Sequence, residues 1–373
     1  MRAWLEVDLE AVAHNYRCVQ DHVGPDVRVC GVVKADAYGH GIEAIAGTLS
    51  RCGIDSFAVI SLDEAIRVRA VSPLPVLIMG YLDDEDIETA IREGFTISLY
   101  DRELAPLYCE LAAKVGRPVR VQVKVETGLN RLGMEVAEAL EIFANPGAFP
   151  GLEVEAVYTH LSSSGDIAED ERQMARFQPL LDAMDAMGVN RPAHMANSHA
   201  LPVFPAGRLS CVRIGLALYG VEPVLPNLKA SLQAKTVVIQ KKKLRAGEGT
   251  SYNKLFRAEQ DMEIAIIAMG YAEGLSQALT GKASVIVGGV KTPILGQICM
   301  NLCVIDATGL PVKRGDEVVV IGTQGNERIC VVDMAKACGL RHHEIITRMG
   351  KSLPKVYIGV EDRAFPGLSC QKA

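Results

Sequence analysis

The stretch VVKADAYGHG, residues 32–41, decides how the rest of the sequence is interpreted. An apolar run over residues 29–33 stops at Lys34, small and glycine residues follow, and helical spacing of apolar residues begins at Ile42. A strand that ends in a lysine at such a turn places the amine at the rim of a parallel sheet. A cofactor bound through a Schiff base, such as pyridoxal phosphate, needs an amine in that position. The alternative is an ordinary surface lysine before a flexible turn.

Outward from this stretch, the chain alternates short apolar strands with helix-length amphipathic segments. A helix with Asp8 as its N-cap precedes the first of these strands. Eight strands, most of them followed by a helix, favour a closed parallel (β/α)8 barrel over an open doubly wound sheet. The predicted strands span residues 29–33, 56–60, 75–79, 95–99, 119–125, 152–159, 192–196 and 209–214.

The pattern changes near residues 223–227. Beyond them, β-branched stretches alternate with glycine turns, and only residues 332–337 and 344–349 have a helical pattern. The sequence therefore predicts an α/β protein: a (β/α)8 barrel over residues 1–227, then a mainly-β domain over residues 228–373. The first strand, residues 1–8, is expected to pair with the β domain.

Composition excludes several classes of protein. The 373 residues are 49% hydrophobic and carry a formal net charge of −6, so no basic surface is expected for nucleic acid or an anionic membrane. Neither a signal-peptide pattern nor an apolar run of membrane-spanning length is present in the sequence. The ten cysteines lack paired spacing, which predicts reduced thiols and no metal site. We expect a cytoplasmic protein that acts on a small molecule.

Polar residues follow the ends of the predicted barrel strands, where the chemistry of such barrels is located. Each has an ordinary explanation by itself, since a buried arginine can be an ion-paired strut and a histidine can be satisfied in a core. Converging cations do not stabilise a barrel mouth, however, so the set predicts a site for an anionic cofactor. Its members are Lys34, Asn130, Arg131, His160, Asn197, Ser198 and Arg213.

An ordered set of motifs resembles the alanine racemases over essentially the whole chain. The resemblance implies a pyridoxal-phosphate-dependent homodimer that interconverts L- and D-alanine, with an N-terminal barrel and a C-terminal β domain. The motifs are residues 32–41, TG at 127–128 with RLG at 131–133, ANS at 196–198, RIG at 213–215 with LYG at 218–220, SY at 251–252, GYA at 270–272 and CM at 299–300.

The resemblance implies two catalytic residues. Lys34 would hold the cofactor and act as one base, and Tyr252 of the partner subunit would act on the opposite face of the substrate Cα. A free lysine, with a pKa of about 10.4, is a poor base at neutral pH. Burial among cations is expected to lower that pKa. Arg213 would face the pyridine nitrogen and, because it stays charged, leave that nitrogen unprotonated.

Further contacts follow from the same resemblance. His160 would lie against the cofactor ring and link Arg213 to Tyr252. Arg131 would contact the cofactor's phenolic oxygen and the substrate carboxylate, and Lys124 matches a lysine that is carbamylated in many family members. The phosphate would be held by the hydroxyls of Tyr38 and Ser198 and by the backbone N–H groups of Gly215 and Leu216. The backbone of Met300 would help hold the substrate carboxylate. Asn197 and His343 would also contact the cofactor.

Several positions depart from the family pattern. His343 stands where a tyrosine usually lines the inner gate, and Asn301, Gln277 and Gln297 replace charged residues of the substrate corridor. Glu126, Glu273 and Asn253 also differ. A smaller, polar gate favours a second hypothesis, that serine or a broader set of amino acids is racemised. Comparing serine with alanine turnover in a His343→Tyr variant tests it.

Two other functions remain open at this stage. A non-catalytic protein that binds pyridoxal phosphate is opposed by the β domain and the Ser251-Tyr252 motif, which single-domain relatives lack. A decarboxylase of the same fold type usually has a glutamate opposite the pyridine nitrogen, where this chain has Arg213.

Overall fold

The computed structural model describes residues 1–359, which form two compact units. The barrel unit contains Val12–Ala37 and Ile42–Leu228. The β unit contains Met1–Ala11, Tyr38–Gly41 and residues 229–359. The segment Tyr38–Gly41 therefore belongs to the β unit, although it lies between two parts of the barrel unit in sequence.

The first strand, β1 (Ala3–Asp8), is followed by the helix Leu9–Val23, and the Asp8 carboxylate accepts a hydrogen bond from the Ala11 N–H at 2.9 Å, as expected for an N-cap. The barrel comes next, and its eight parallel strands close in sequence order. This confirms the predicted fold class. The strands are β2 (Arg28–Val32), β3 (Ser56–Val59), β4 (Val76–Ile78), β5 (Thr96–Leu99), β6 (Val119–Lys124), β7 (Leu152–Tyr158), β8 (Ala193–His194) and β9 (Cys211–Ile214).

Helices alternate with the barrel strands. The longest begins at Ile167, where the Asp166 side chain caps it by accepting from the Glu169 N–H. Its apolar face buries Phe177 and Leu180. The helices of the barrel unit after the first are Ile42–Cys52, Leu62–Arg69, Asp84–Glu93, Leu104–Val115, Val136–Ala144, Ile167–Ala186 and Leu216–Tyr219.

The strands of the β unit after β1 are β10 (Leu232–Leu244), β11 (Gly249–Thr250), β12 (Phe256–Arg257), β13 (Met262–Ile267), β14 (Ser284–Val287), β15 (Val290–Leu295), β16 (Cys303–Asp306), β17 (Glu317–Gln324), β18 (Glu327–Ile329) and β19 (Lys355–Ile358). The unit is built on a nine-stranded sheet with the order β18-β17-β14-β15-β16-β13-β10-β1-β19. Strand β1 pairs antiparallel with β10 and parallel with β19. Two helices, Val331–Cys338 and His342–Ser352, lie between β18 and β19 in sequence.

Residues 1–359 include no helix with the length and apolar composition of a membrane span. The cysteines of this range are free thiols, and its His, Cys, Asp and Glu side chains form no cluster suited to a metal ion.

Candidate active site

The barrel unit brings the predicted polar residues to the carboxyl ends of its strands. Lys34 follows β2 by two residues, His160 follows β7 by two, and Arg213 lies within β9. Arg131 is exposed in the loop after β6. These groups interact electrostatically, since, in addition to burial, the charges of Arg131 and Arg213 both lower the pKa of Lys34. The structure therefore places Lys34, Arg131, His160 and Arg213 at one end of the barrel.

The turn after Lys34 is left-handed. Ala35, Asp36, Ala37 and Tyr38 all have φ of 53–54°, although none is glycine. Such a conformation costs roughly 1–2 kcal/mol per residue because Cβ approaches the following carbonyl oxygen. Consecutive strain of this kind persists only where the surroundings impose it, and it is typical of functional sites.

Carboxylates of the barrel unit hold this turn. Glu64 accepts hydrogen bonds from the Asp36 N–H at 3.2 Å and from the Ile60 N–H at 3.0 Å. The Asp36 carboxylate accepts from the Ile42 N–H at 3.0 Å and from the Arg67 guanidinium at 2.7 Å. These bonds fix the backbone directly beyond Lys34 and so restrict where its amine lies.

Arg213 is the buried centre of the rim, with 3% of its surface exposed. Its guanidinium donates to the Thr159 carbonyl at 2.6 Å, to Nδ1 of His194 at 2.7 Å and to Nδ1 of His160 at 3.1 Å. An arginine only donates, so both imidazoles accept at Nδ1. Burial, followed by the charge of Arg213, lowers the pKa of His160 to about 2 and that of His194 well below its usual 6.5. Both histidines are therefore neutral and carry their proton on Nε2.

Two lysines of the site have pKa values below that of an ordinary lysine. Burial, with a further contribution from the Arg131 charge, lowers the pKa of Lys34. The same causes, in the same order, lower the pKa of the buried Lys124 to about 8. A neutral amine can act as a base or nucleophile near neutral pH, which an ordinary lysine does poorly.

The loop that carries Arg131 is folded around the Glu126 carboxylate. One Glu126 oxygen accepts from the Gly128 N–H and the other from the Arg131 N–H at 3.3 Å. Burial opposes ionisation of Glu126, but the surrounding backbone N–H groups outweigh it and lower the pKa of this carboxyl group. Glu126, which stands where the family has an aspartate, thus holds the backbone of this loop in place.

At the other side of the rim, Ser198 and the Gly215 turn are brought together. The Ser198 hydroxyl accepts from the Gly215 N–H at 3.3 Å and from the Ala217 N–H at 3.2 Å, and Leu216 begins the short helix beside them. Asn197 has a different role. Its oxygen accepts from the His199 N–H at 3.0 Å and its nitrogen donates to the Ser164 hydroxyl at 2.6 Å, so its side chain organises the loop.

Sequence reasoning missed two residues that position this rim. Gln173, fully buried on the helix Ile167–Ala186, donates to the Thr127 hydroxyl at 3.0 Å and to the His160 carbonyl at 3.2 Å. Nothing in its local pattern distinguishes it from a solvent-exposed helical glutamine. His194, the partner of Arg213, is the one polar residue of the apolar stretch 192–196, and that was a detectable signal.

In the β unit, Tyr252 projects from a turn and is 67% exposed. Its neighbours Ser251 and Asn253 both have positive φ, 64° and 57°. The Ser251 hydroxyl donates to the Gln297 carbonyl at 2.7 Å, which ties the turn to the segment containing Met300. Met300 is itself 56% exposed, and its carbonyl accepts from the N–H of residue 272 at 2.9 Å. Three neighbouring turns, residues 251–254, 270–273 and 297–301, thus present Tyr252 and Met300 at the surface.

The substituted positions of the β unit are tied into this surface. Asn301 donates to the buried Glu273 carboxylate at 2.9 Å, and Glu273 also accepts from Arg2 at 2.8 Å and from the Gly270 N–H at 3.0 Å. Gln277 donates to the Ile298 carbonyl at 3.3 Å. These polar residues therefore support the turns.

Tyr38 lies beside the helix that carries His343. The next residue, Gly39, has φ +85°, and a Cβ there would lie 2.5 Å from the Ile346 carbonyl oxygen. Only glycine permits this approach of the helix His342–Ser352. Burial raises the pKa of the Tyr38 hydroxyl to about 12, so this group remains a protonated donor.

Comparisons with known proteins agree with this architecture. Residues 7–223 match the family "Alanine racemase, N-terminal domain" and residues 231–357 match "Alanine racemase, C-terminal domain". An alanine racemase of Desulfovibrio desulfuricans is 32% identical over 365 residues, covering 95% of this chain and 98% of the relative.

Solved structures give the same result. An alanine racemase from D-cycloserine-producing Streptomyces lavendulae has a TM-score of 0.91 at 27% identity, covering 98% of this chain and 99% of that one. The enzyme from Bartonella henselae, described with covalently bound pyridoxal phosphate, has a TM-score of 0.86 at 29% identity, covering 96% and 99%. This chain belongs to the alanine racemase family.

Proposed function

We propose that this protein interconverts L- and D-alanine with pyridoxal phosphate held by Lys34. The observation that carries the proposal is the amine of Lys34, whose pKa is lowered by burial and by Arg131, on the rim centred on Arg213. The nearby carboxylates, Glu64 and Glu126, are occupied by backbone N–H groups. The guanidinium groups of Arg131 and Arg213 form no ion pair with a carboxylate among residues 1–359, so the rim suits an anionic cofactor.

The residues present fit the groups of that cofactor. When bound, pyridoxal phosphate withdraws electrons from the substrate Cα and makes its proton removable. Lys34 would bind it covalently, and Arg213 would face the ring nitrogen with His160 against the ring. The phosphate would be held by Tyr38, His343, Ser198 and the N–H groups of Gly215 and Leu216, with Asn197 shaping the loop that presents Ser198. Backbone donors at a glycine turn suit an oxyanion.

Proton transfer is proposed to use two residues on opposite faces of the substrate. On one face the Lys34 amine accepts the Cα proton, or the Lys34 ammonium returns it; on the other face the phenolic oxygen of Tyr252 donates its proton to Cα, or as the phenolate accepts one. Tyr252 is 67% exposed in the single chain. We propose a homodimer in which the C-terminal domain, residues 228–373 with the first strand, supplies Tyr252 to the partner's site. This arrangement would explain why the Tyr252 side chain is presented at the surface.

The charge state of Arg213 shapes the reaction. Since a guanidinium stays protonated at physiological pH, Arg213 can donate to the ring nitrogen but not protonate it. Its bond to His160, at 3.1 Å, leaves the Nε2 proton of that ring directed elsewhere, and we assign it to the connection with Tyr252. Arg131 and the backbone of Met300 would bind the substrate carboxylate, and Lys124, if carbamylated, would orient Arg131.

Chiral chromatography of L-alanine and L-serine, incubated separately with the purified protein in deuterated water, tests the function. D-alanine carrying deuterium at Cα is expected, and its loss in Tyr252→Phe, but not in the exposed Tyr81→Phe, assigns the second base. Faster formation of D-serine than D-alanine would favour the broader-specificity hypothesis. If neither amino acid yields a D-product while a cofactor absorbance band is present, the racemase proposal is wrong.

A further inference from the structure

The barrel has a cavity at its amino-terminal end, opposite the rim that carries Lys34. Its volume is about 280 Å³, and it is lined by residues from the beginnings of the strands. The interior of a (β/α)8 barrel is normally filled by large branched side chains. Here Cys30, Ser56, Ala156 and Cys211 take their places, so the space results from small side chains.

The inner wall of the cavity offers a defined hydrogen-bond donor. Because His194 accepts from Arg213 at Nδ1 and is neutral, its Nε2 carries the proton. That proton is donated to the Gln122 side-chain oxygen, 2.9 Å away. The Gln122 NH2 group is thereby left on the other side of the amide, and it donates to no residue within the described range 1–359.

The mouth of the cavity offers a positive charge. Arg28 is exposed there, and its guanidinium has no hydrogen-bond or ion-pair partner among residues 1–359. The other arginine of the lining, Arg120, is already paired with Glu155, which also accepts from the Thr96 hydroxyl at 2.7 Å. The remaining acid, Asp55, uses one oxygen to accept from the Val29 N–H at 2.7 Å.

The rest of the wall is uncharged. Phe57, Val76 and Leu77 line it, and burial raises the pKa of the Cys30 thiol to about 11, so that this group is neutral. The cavity thus combines the unpaired Arg28 cation, one unpaired amide donor and an apolar wall, with the Asp55 carboxylate as its one acid outside an ion pair. A short aliphatic chain that ends in a carboxylate matches the cation, the amide donor and the apolar wall, since buried apolar surface and charge-assisted hydrogen bonds together favour its binding.

We propose that this cavity is a second ligand site, which binds a small aliphatic carboxylate through Arg28 and the Gln122 amide. Only two hydrogen bonds, Gln122 to His194 and His194 to Arg213, separate the ligand from the opposite rim. Occupancy of the cavity is therefore linked to cofactor affinity. This linkage, unlike the site itself, rests on the proposed binding of pyridoxal phosphate.

Calorimetric titration of the cofactor-loaded protein with sodium butyrate, at constant ionic strength, tests the site. One butyrate per chain is expected. Arg28→Gln removes the cation, and Gln122→Glu keeps the acceptor for His194 but replaces the donor with a negative charge. Each variant is expected to weaken binding at least about tenfold, the usual effect of losing a charge-assisted hydrogen bond. Arg17→Gln, an exposed change elsewhere in the barrel unit, should leave binding intact.

The Arg131→Gln variant distinguishes butyrate binding at the active-site rim from butyrate binding in the cavity. Binding lost in Arg131→Gln but kept in Arg28→Gln would place butyrate at the rim and overturn the second site without affecting the proposed function. Absence of binding, or equally tight binding of n-butylammonium chloride, would also overturn it.

For the linkage, the butyrate Kd is measured with and without cofactor. The two values should differ at least about fivefold, and butyrate must change the cofactor Kd by the same factor. Equal butyrate affinities would refute the linkage and leave the site standing.

Discussion

Gln173→Leu tests whether a single buried amide holds the two loops of the barrel rim. Gln173 donates to Thr127 and to the His160 carbonyl, and its oxygen accepts from the Ser162 N–H at 2.7 Å and the Ser162 hydroxyl at 2.9 Å. Leucine has a similar volume, so the change removes four hydrogen bonds without opening a large cavity.

The magnitude follows from what each former partner can do afterwards. Ser162 is exposed and can bond to water, and Thr127 keeps its bond to the Thr159 hydroxyl at 2.7 Å. The His160 carbonyl loses the Gln173 donor. One poorly satisfied acceptor and the net loss of the other bonds predict a decrease of about 2–4 kcal/mol in the free energy of unfolding.

Activity should decrease as well, because the same loops carry Arg131 and His160. A displacement of these groups by a fraction of an ångström to 1 Å predicts a fall in kcat/KM for alanine of about ten- to a hundredfold. Urea unfolding and alanine racemisation are measured on the same preparations. The matched control is Gln178→Leu on the same helix, where the glutamine is exposed and a change within about 0.5 kcal/mol is expected. If both variants have wild-type stability and turnover, Gln173 does not hold the loops.

Two further predictions concern the barrel unit. The pKa of Lys124 is about 8 in the folded protein against an ordinary 10.5, so the unfolded chain binds more protons between these values. The free energy of unfolding, measured by urea denaturation in CO2-free buffer, should therefore increase as the pH rises from about 8 to 10.5, and the Lys124→Met variant should not show this increase. The same pH dependence in the variant and the wild type would contradict the lowered pKa of Lys124. Ala35→Gly should stabilise the protein by about 0.5–1 kcal/mol, because relief of left-handed strain exceeds the entropy cost of glycine. The same substitution at the exposed helical Ala175 should destabilise it by about 1 kcal/mol, and thermal unfolding that shows the same sign at both positions would refute the strain argument.

The sequence predicts the fold well because its period changes clearly. Apolar strands alternate with amphipathic helices up to residue 219, and strand ends in a parallel barrel necessarily meet at one rim. Lys34, His160 and Arg213 could therefore be placed together without coordinates. Each of these residues lies at the carboxyl end of a predicted barrel strand, and that position is enough to place them at the same rim.

Other features of the site depend on contacts that the local sequence does not encode. The left-handed turn at Ala35–Tyr38 contains no glycine, so nothing in its composition indicates positive φ; carboxylates distant in sequence, such as Glu64, impose it. Gln173 bonds to the Thr127 hydroxyl and the His160 carbonyl because its helix turns it toward the strand ends. The amino-terminal cavity arises from small residues on several strands, each of which is unremarkable alone.

Subunit complementation tests the central claim, that Lys34 and a partner's Tyr252 complete one racemase site. Lys34→Ala and Tyr252→Phe proteins, each inactive alone, are mixed, dissociated and reassociated, and alanine racemisation is assayed. If Tyr252 acts across the dimer, each mixed dimer contains one intact site, and random pairing restores about a quarter of the wild-type activity. If both residues act within one chain, no mixed dimer has an intact site. No recovery of activity, with mixed dimers demonstrated by mass spectrometry, would contradict the account.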